Sequence, residues 1–445
     1  MSEAALNAMA QQYLDLTLCK SRYDDIDIQW YTEGPFWRRT SMRFSRDYKI
    51  LPDYEIADAK HGKTLEDILD ESAHLTESLK LYAKTAKPQE KQRIDYLIDH
   101  VVALHTRARM LLGETMPFDE MTQKLYDLVA PVYDYTRFDR ILEALNQALP
   151  GSGSVQDKIY EFRRRISIPQ DKLLAVMTDT TKAFHDMSMA RMTLTGNSMP
   201  RVRVRRLPDP GMAFLSILFG YDYNHLEYER NFNLDYPWTV DNVIECIGHE
   251  MEPGHLTYYE KRMQTYIDTC WPEMAVVQQF SSSSAFTEGS ARYVISMCFD
   301  HSVEKKTQFE KNVIFGVAGL DKGLAELMPL WHEYCEIAGY GKLEVTRKIW
   351  DKIWTEEEAA AFLKQYAIIG KEAPASIVNH LAGDEGHFVA HDYARDVVKE
   401  YFDSVTSSVD ERNKAEDEHN GKWRHAIPRK ETCLRHRPPP YPEYL

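Results

Sequence analysis

A chain of 445 residues that is 43% hydrophobic and 28% charged carries enough apolar content for a sizeable core. With 20 glycines and 20 prolines it is neither disordered nor collagen-like in composition. Its 54 basic and 69 acidic residues leave a formal charge of −15, which repels phosphate backbones and excludes nucleic acid as a general partner.

The elements read in chain order are mainly helical. Between 89 and 114, Ile94, Leu97, Ile98, Val101, Leu104 and Ala108 recur at three- and four-residue steps with charged residues between them, the pattern of an amphipathic helix. The stretches 118–135 and 170–192 behave alike. Pro150-Gly151-Ser152-Gly153-Ser154 breaks the series as a loop; without a third glycine or a preceding strand it is no nucleotide fingerprint. From Pro200 to Pro208 charged and apolar residues alternate, and the prolines confine that stretch to a sheet edge, so a short edge strand or small hairpin is expected near 200–208. Residues 221–237 are aromatic and polar without a clear period, and helical periodicity returns from Thr239 to about Ser407. The remainder is charged and ends in Pro438-Pro439-Pro440-Tyr441-Pro442, read as an extended tail.

The longest apolar runs, such as 212–219, fall far short of the roughly 18 residues that span a bilayer, so no membrane partner is expected. Cys19, Cys246, Cys270, Cys298, Cys335 and Cys433 are widely spaced with no C-x-x-C, which argues against a zinc ribbon, a dithiol site or a disulfide framework. The N-terminus lacks the basic and apolar regions of a signal peptide. A reducing, cytoplasmic setting is the expectation.

The segment that carries chemistry is His249-Glu250-Met251-Glu252-Pro253-Gly254-His255. Thr239 or Asp241 can cap the helix leading into it, and Val243, Ile244 and Ile247 supply its apolar face. A helical H-E-x-x-H places two imidazoles on one face, with the glutamate as base for a water activated by a divalent metal. Here the histidines are six apart, roughly 240° net on an ideal helix, and would not converge. Pro253 clashes with the carbonyl of His249 and opens the helix, while Gly254 allows torsions other residues avoid. If two residues bulge out, His255 returns to the place of an i+4 histidine. The same residues also suit a solvated helix end with a Pro-Gly stop. Downstream, Phe286-Thr287-Glu288-Gly289-Ser290-Ala291-Arg292-Tyr293 places a glutamate at the opening of a helix, the usual position of the third, oxygen ligand in glutamate-type zinc peptidases. Its plainer role would be an i,i+4 surface pair with Arg292, but the adjacent Gly289 favours a close-approach site.

In these segments the chain resembles the domain-of-unknown-function 885 family of zinc-peptidase-like proteins, whose marks are H-E-x-x-P-G-H followed by E-G-W-A. The marks fall on residues 249–255 and on Glu288-Gly289-Ser290-Ala291. A third stretch, Thr355-Glu356-Glu357-Glu358-Ala359 through Tyr366 to Pro374 and Gly383, is similar in outline, and the resemblance covers roughly 200–395. It implies a helical zinc-peptidase-like architecture with His249, His255 and Glu288 as zinc ligands and Glu250 as general base and acid. The chain departs from the family at Ser290, where tryptophan is usual, at Ser296, where a second acid is expected, and at His380, which replaces a tyrosine. Those departures point to a changed substrate or to chemistry other than peptide hydrolysis.

Further histidines follow. His387 and His391 are four apart with Asp384 on the same face and could share a second metal. Alternatively His380, His387, Tyr366 and Tyr393 line the same cleft, where a histidine or tyrosine polarises a carbonyl. Arg395, or the arginines of 201–206 with Arg203 and Arg205 among them, can receive a substrate carboxylate. Glu245 reads as a support for the metal ligands and Cys246 as a small buried hydrophobe.

The expected fold is mainly α, with a helical region over 1–198, a metal-binding catalytic region over 199–407 and a tail over 408–445. The expected function is a metal-dependent hydrolase of an amide or peptide-like substrate, a small molecule or short peptide. Zinc is the first choice of cofactor, although the ligand types also suit another divalent transition metal. Two alternatives stand beside it: a metal-dependent biosynthetic enzyme, such as a lyase working by proton abstraction, and a binding protein with a relic motif. The intact His249, Glu250, His255 and Glu288 argue against the relic. No oligomeric state is written in the sequence.

Overall fold

The structure, a computed structural model, describes residues 3–24, 28–33, 36–38, 62–192, 199–208, 211–220, 226–382 and 386–420. Its first part holds α1 (Glu3–Lys20), β1 (Ile28–Glu33), β2 (Phe36–Arg38), α2 (Leu65–Ala83), α3 (Pro88–Leu111), α4 (Phe118–Tyr126), α5 (Tyr135–Ala148), α6 (Val155–Arg165) and α7 (Leu173–Arg191). Then come β3 (Arg201–Arg205), β4 (Phe214–Gly220), β5 (Leu226–Asn233), α8 (Val240–Glu250), α9 (His255–Thr269), β6 (Val276–Gln278) and α10 (Ser282–Tyr293). The last part holds α11 (Val303–Phe309), α12 (Phe315–Ala318), α13 (Met328–Trp350), α14 (Glu356–Gln365), α15 (Ile377–Ala382), a π-helical turn (Val389–Tyr393), α16 (Ala394–Val405) and α17 (Val409–Asn420). The fold is mainly α, as the periodicity predicts.

Local chemistry marks the helix starts. Thr64 with Asp67, Ser154 with Asp157 and Thr355 with Glu358 form reciprocal capping boxes that satisfy backbone N–H groups at the starts of α2, α6 and α14. The 150–154 loop thus ends as the cap of α6. The apolar stripe expected on α3 is buried at Ile94, Leu97, Val101, Leu104 and Ala108, packed with α1, α2 and residues 271–276. A second core gathers Phe138, Phe162, Phe184, Trp238, Ile244 and Trp331, and so draws on both sides of residue 198. A third, around Phe118, Met121 and Phe280, reaches Val389 in the π-helical turn.

Two small sheets complete the described fold. In one, β1 lies between β2 and β6, antiparallel to both. In the other, β3 is the expected edge strand; it runs parallel to the central β5, from Arg201 opposite Glu229 to Arg205 opposite Asn233. β4 pairs antiparallel on the far side. β5 falls in the stretch that lacks a readable period, because Glu229, Arg230, Asn231 and Asn233 are all buried and its polarity conceals the strand. Asn233 knits this region together. Its Oδ1 accepts from the backbone N–H of Leu207 and Asp235, its Nδ2 donates to the Met212 carbonyl, and its own carbonyl accepts from the Trp238 indole.

Some expectations need correction. The charged segment from 408 opens as helix α17; residues 421–445, with the terminal prolines, lie outside the described residues. Cys270, at the end of α9, is disulfide-bonded, which the wide cysteine spacing did not foreshadow. Among the described residues no helix is long and apolar enough to cross a membrane.

A buried polar network ties α3 to the elements that carry the site. Arg93 pairs with Glu273 in a fork, with Nη2 2.9 Å from Oε2, and Arg262 donates to the Tyr96 hydroxyl and to the Glu273 and Val276 carbonyls. His100 meets Ser283 Oγ at 2.7 Å. Removing one partner of a buried ion pair strands the other charge, so Glu273→Ala should cost about 3–5 kcal/mol and Glu273→Gln clearly less. Urea unfolding followed by circular dichroism measures both; a Glu273→Gln variant as stable as the wild type would show that the charge of Glu273 does not matter.

Candidate metal centre

The apolar face of α8, formed by Val240, Val243, Ile244 and Ile247, is buried and sets His249 in the last turn. Thr239 occupies the cap position, yet its hydroxyl donates to Asn242 Oδ1. The two histidines do not share one bulged helix. α8 stops at Glu250, Met251–Gly254 turn the chain, and His255 is the first residue of α9. The Glu252–Pro253 peptide is cis, and the Gly254 N–H donates to the Gly248 carbonyl at 3.0 Å. Gly254 has a negative φ of −77°, so its role is close approach: a Cβ there would stand 1.9 Å from the His249 carbonyl oxygen. Convergence therefore comes from the end of one helix meeting the start of the next.

The imidazoles of His249 and His255 lie edge to face, with centroids 4.4 Å apart and planes at 80°. Their Nε2 atoms are 3.0 and 3.1 Å from Glu288 Oε2. Glu288 lies midway along α10, not at its opening, and all three side chains are buried. His249 Nε2 is near the carboxylate but makes no aligned hydrogen bond, and the Nδ1 atoms of His249 and His255 also lack partners. A tetrahedral ion about 2.0–2.1 Å from its ligands spaces them about 3.3 Å apart, close to the distances found. Unsatisfied imidazole nitrogens around an ionised carboxylate at this spacing fit a divalent transition metal. Burial alone would raise the Glu288 carboxyl, but the fields of His255 and His391 and the close approach of the His249 and His255 imidazoles hold it well below the usual carboxylate range.

Two glycines and an arginine set this spacing. A Cβ on Gly289 would lie 2.6 Å from the backbone carbon of Ala394, so glycine is what lets α10 press against α16. A Cβ on Gly339 would lie 2.2 Å from Asp392 Oδ1. Arg292 does not pair with Glu288; it reaches Glu245 on α8 at 2.7 Å and Asp392 in the π-helical turn, clamping the three elements that carry His249, Glu288 and His391. Glu245 reaches this group through Arg292 rather than by touching an imidazole.

The π-helical turn places His391 Nε2 3.3 Å from Glu288 Oε2, with its ring stacked 5.3 Å from that of His249. His387 lies beside it, rings 4.4 Å apart at 80°, with the Gln279 amide nitrogen 3.0 Å from its Nδ1. Asp384 lies outside the described residues, and so does the side chain of His380 on α15. Glu250 projects beside His249, His255 and Glu288, its Oε1 3.8 Å from His249 Nε2. Its partner is one that sequence reading missed. Arg230 of β5, fully buried between Phe214 and Tyr228, donates to the Glu250 carbonyl at 3.0 Å and to its Oε2 at 3.3 Å. Burial pushes the Glu250 carboxyl up, but Arg230 and then His249 and His255 outweigh it and leave the group below its ordinary value. Glu252 was also overlooked; it is buried and takes a 2.6 Å bond from His185 of α7, which anchors the turn.

A cavity of about 1250 Å³ opens onto His249, Glu250, His387 and His391, with Trp238 and Tyr334 among its other walls. Arg395 lines it but is tied to Glu336 at 3.1 Å and Asp396 at 2.7 Å. The remaining expected residues are elsewhere. Arg203 and Arg205 point to solvent from the edge strand, Arg203 paired with Glu229 at 2.7 Å. Tyr366 is core, 4.3 Å from the Phe138 ring, and Tyr393 packs with the Phe118 cluster. Alternation along 201–206 signals a strand but not which face looks inward, so the arginine at the site comes from β5 instead. Ser290 is buried beside Glu288, and Ser296 bonds His301 Nδ1 at 2.9 Å.

No family model matches this chain, and no curated protein does. Among solved structures it is similar to a protein named "putative lipoprotein" from Colwellia psychrerythraea, 12% identical, over 81% of this chain and 69% of that one, with a TM-score of 0.51. At that identity the likeness is one of fold.

The glycine at the helix crossing gives a test that needs no substrate. Gly289→Ala must push α16 away from α10, with an overpacking cost of about 1–3 kcal/mol. The denaturation midpoint should fall and metal retention after desalting should weaken. A variant with the wild-type midpoint would mean the crossing is loose.

Proposed function

We propose that this chain is a metal-dependent hydrolase of amide or peptide-like substrates, akin to the zinc-peptidase-like proteins it resembles. The supporting observation is the meeting of His249, His255 and Glu288 at one buried point with Glu250 beside them, all next to a cavity large enough for a small molecule or short peptide. His249, His255 and Glu288 would hold the ion, with zinc the first choice for two imidazoles and a carboxylate. Bound there it would supply Lewis acidity, polarising a carbonyl oxygen and making water a better nucleophile at neutral pH.

The remaining work belongs to the chain's own groups. Glu250 is ionised and faces the cavity, so one oxygen can take the proton of an attacking water and pass it to the departing amine nitrogen. Arg230 holds the other oxygen and the Glu250 carbonyl, which fixes the carboxylate's direction. Because Arg230 is fully buried it acts as a positioning residue, away from substrate.

Elemental analysis of purified protein should find metal in the wild type and lose it in His249→Ala, His255→Ala and Glu288→Ala. Glu250→Gln should keep metal and fold yet lower turnover by roughly 10²–10⁴-fold, since the amide is nearly isosteric but accepts no proton. Wild-type turnover in that variant would remove Glu250 from its role. A panel of short peptides, scored by new amine per substrate lost, tests the reaction class; peptides left intact by metal-loaded protein would favour the small-molecule, proton-abstracting alternative.

A further inference from the structure

The proposed ion accounts for His249 and His255 and leaves two histidines at the same carboxylate unused. The donor atoms fall into two sets, each mutually within 4.8 Å: His249 with His255 and Glu288, and His387 with His391 and Glu288. Only Glu288 belongs to both. The two histidine pairs repeat one geometry, with centroids 4.4 Å apart and planes at 80°. An imidazole binds a metal through a lone pair in its ring plane, so two rings can share an ion only where their planes intersect close by. Planes at 80° meet this condition within each pair. Between His249 and His391 it fails: these rings are stacked with planes only 17° apart. His391 is therefore a poor fourth ligand for the first ion and a good ligand for another.

We propose that Glu288 bridges two ions, the second a divalent transition metal held by His387, His391 and the Glu288 carboxylate. The proposal rests on the first ion being held as described above. A carboxylate has two oxygens with about four lone-pair sites, so it can serve both sets. Two-metal hydrolytic sites place their ions about 3.5–4 Å apart, a span that one carboxylate bridges. Two structural features support the second set independently of its donor distances. The π-helical turn at 389–393, an irregularity that concentrates at functional sites, lies at His391. The Gln279 amide nitrogen lies 3.0 Å from His387 Nδ1 and 3.3 Å from its Nε2, which places a hydrogen-bonding partner against this ring from outside the donor set. The second set also borders the cavity, which puts the second ion on the substrate side.

The experiment strips full-length protein with a chelator, titrates it with Zn²⁺ alone and counts metal per chain after desalting. It is repeated with Mn²⁺ under electron paramagnetic resonance. Two equivalents are expected, with the manganese signal broadened by coupling as the second equivalent enters. His387→Ala should bind one equivalent with an uncoupled signal and an unchanged circular dichroism spectrum. His387→Gln provides the same test if the alanine variant does not fold. A wild type that saturates at one equivalent overturns the second site and leaves the first standing. A chain that binds none overturns both, and a His387 variant that still holds two coupled ions overturns the assignment of His387.

Discussion

Keeping the Glu288 carboxylate ionised in a nearly solvent-free place is the condition that the surrounding architecture meets. An unpaired charge in such a position costs several kcal/mol, so the fold must bring compensating groups to it from every side. It does so with imidazoles from the end of α8, the start of α9 and the π-helical turn. None of those elements could approach with ordinary side chains at the crossings. Gly254 lets the turn fold against the His249 carbonyl, and Gly289 lets α10 meet Ala394. Arg292 then locks α8 and the π-helical turn to α10 through two carboxylates, so the helices hold one another at the separation the imidazoles require.

The two glutamates between the histidines divide their duties by environment. Glu250 is part-exposed to the cavity and is steered from behind by an arginine with no surface of its own. Glu252 is turned away, buried against His185 of α7, and holds the break between the helices in place. Two residues apart and of one chemical type, they become a chemical group and a structural pin. The β3–β5–β4 sheet matters for the first of these, since β5 carries Arg230 between two aromatic rings.

The mainly helical fold was legible because its helices bury long apolar stripes such as the one on α3, and packing follows that period. The candidate metal-binding residues stood out through residue type and spacing around 249–255 and 288, and the structure brings them together, although the route to convergence differs: helix phase cannot show that the chain stops and restarts. Other parts were hidden for physical reasons. β5 buries charged and amide side chains, which inverts the usual signal. The aromatic ring of Tyr366 belongs to the core, and periodicity alone does not separate a buried hydroxyl-bearing ring from one facing a cleft. His391 was visible as half of an i,i+4 pair, but its carboxylate partner was assigned to Asp384, next door in sequence, while Glu288 lies about a hundred residues away in the chain.

The π-helical turn has a consequence for how this region can change over time. Such a turn is an α-helix carrying one residue too many, which slips the phase of everything after it by about 100°. Upstream of the slip, His387 stands within reach of the Glu288 carboxylate; downstream, Ala394 meets Gly289 and Arg395 lines the cavity. Each half keeps the orientation suited to its own neighbours, which an unbroken α-helix could not give to both. The histidine segment and the packing segment are thereby decoupled in register, so substitutions on one can accumulate without rotating the other out of place.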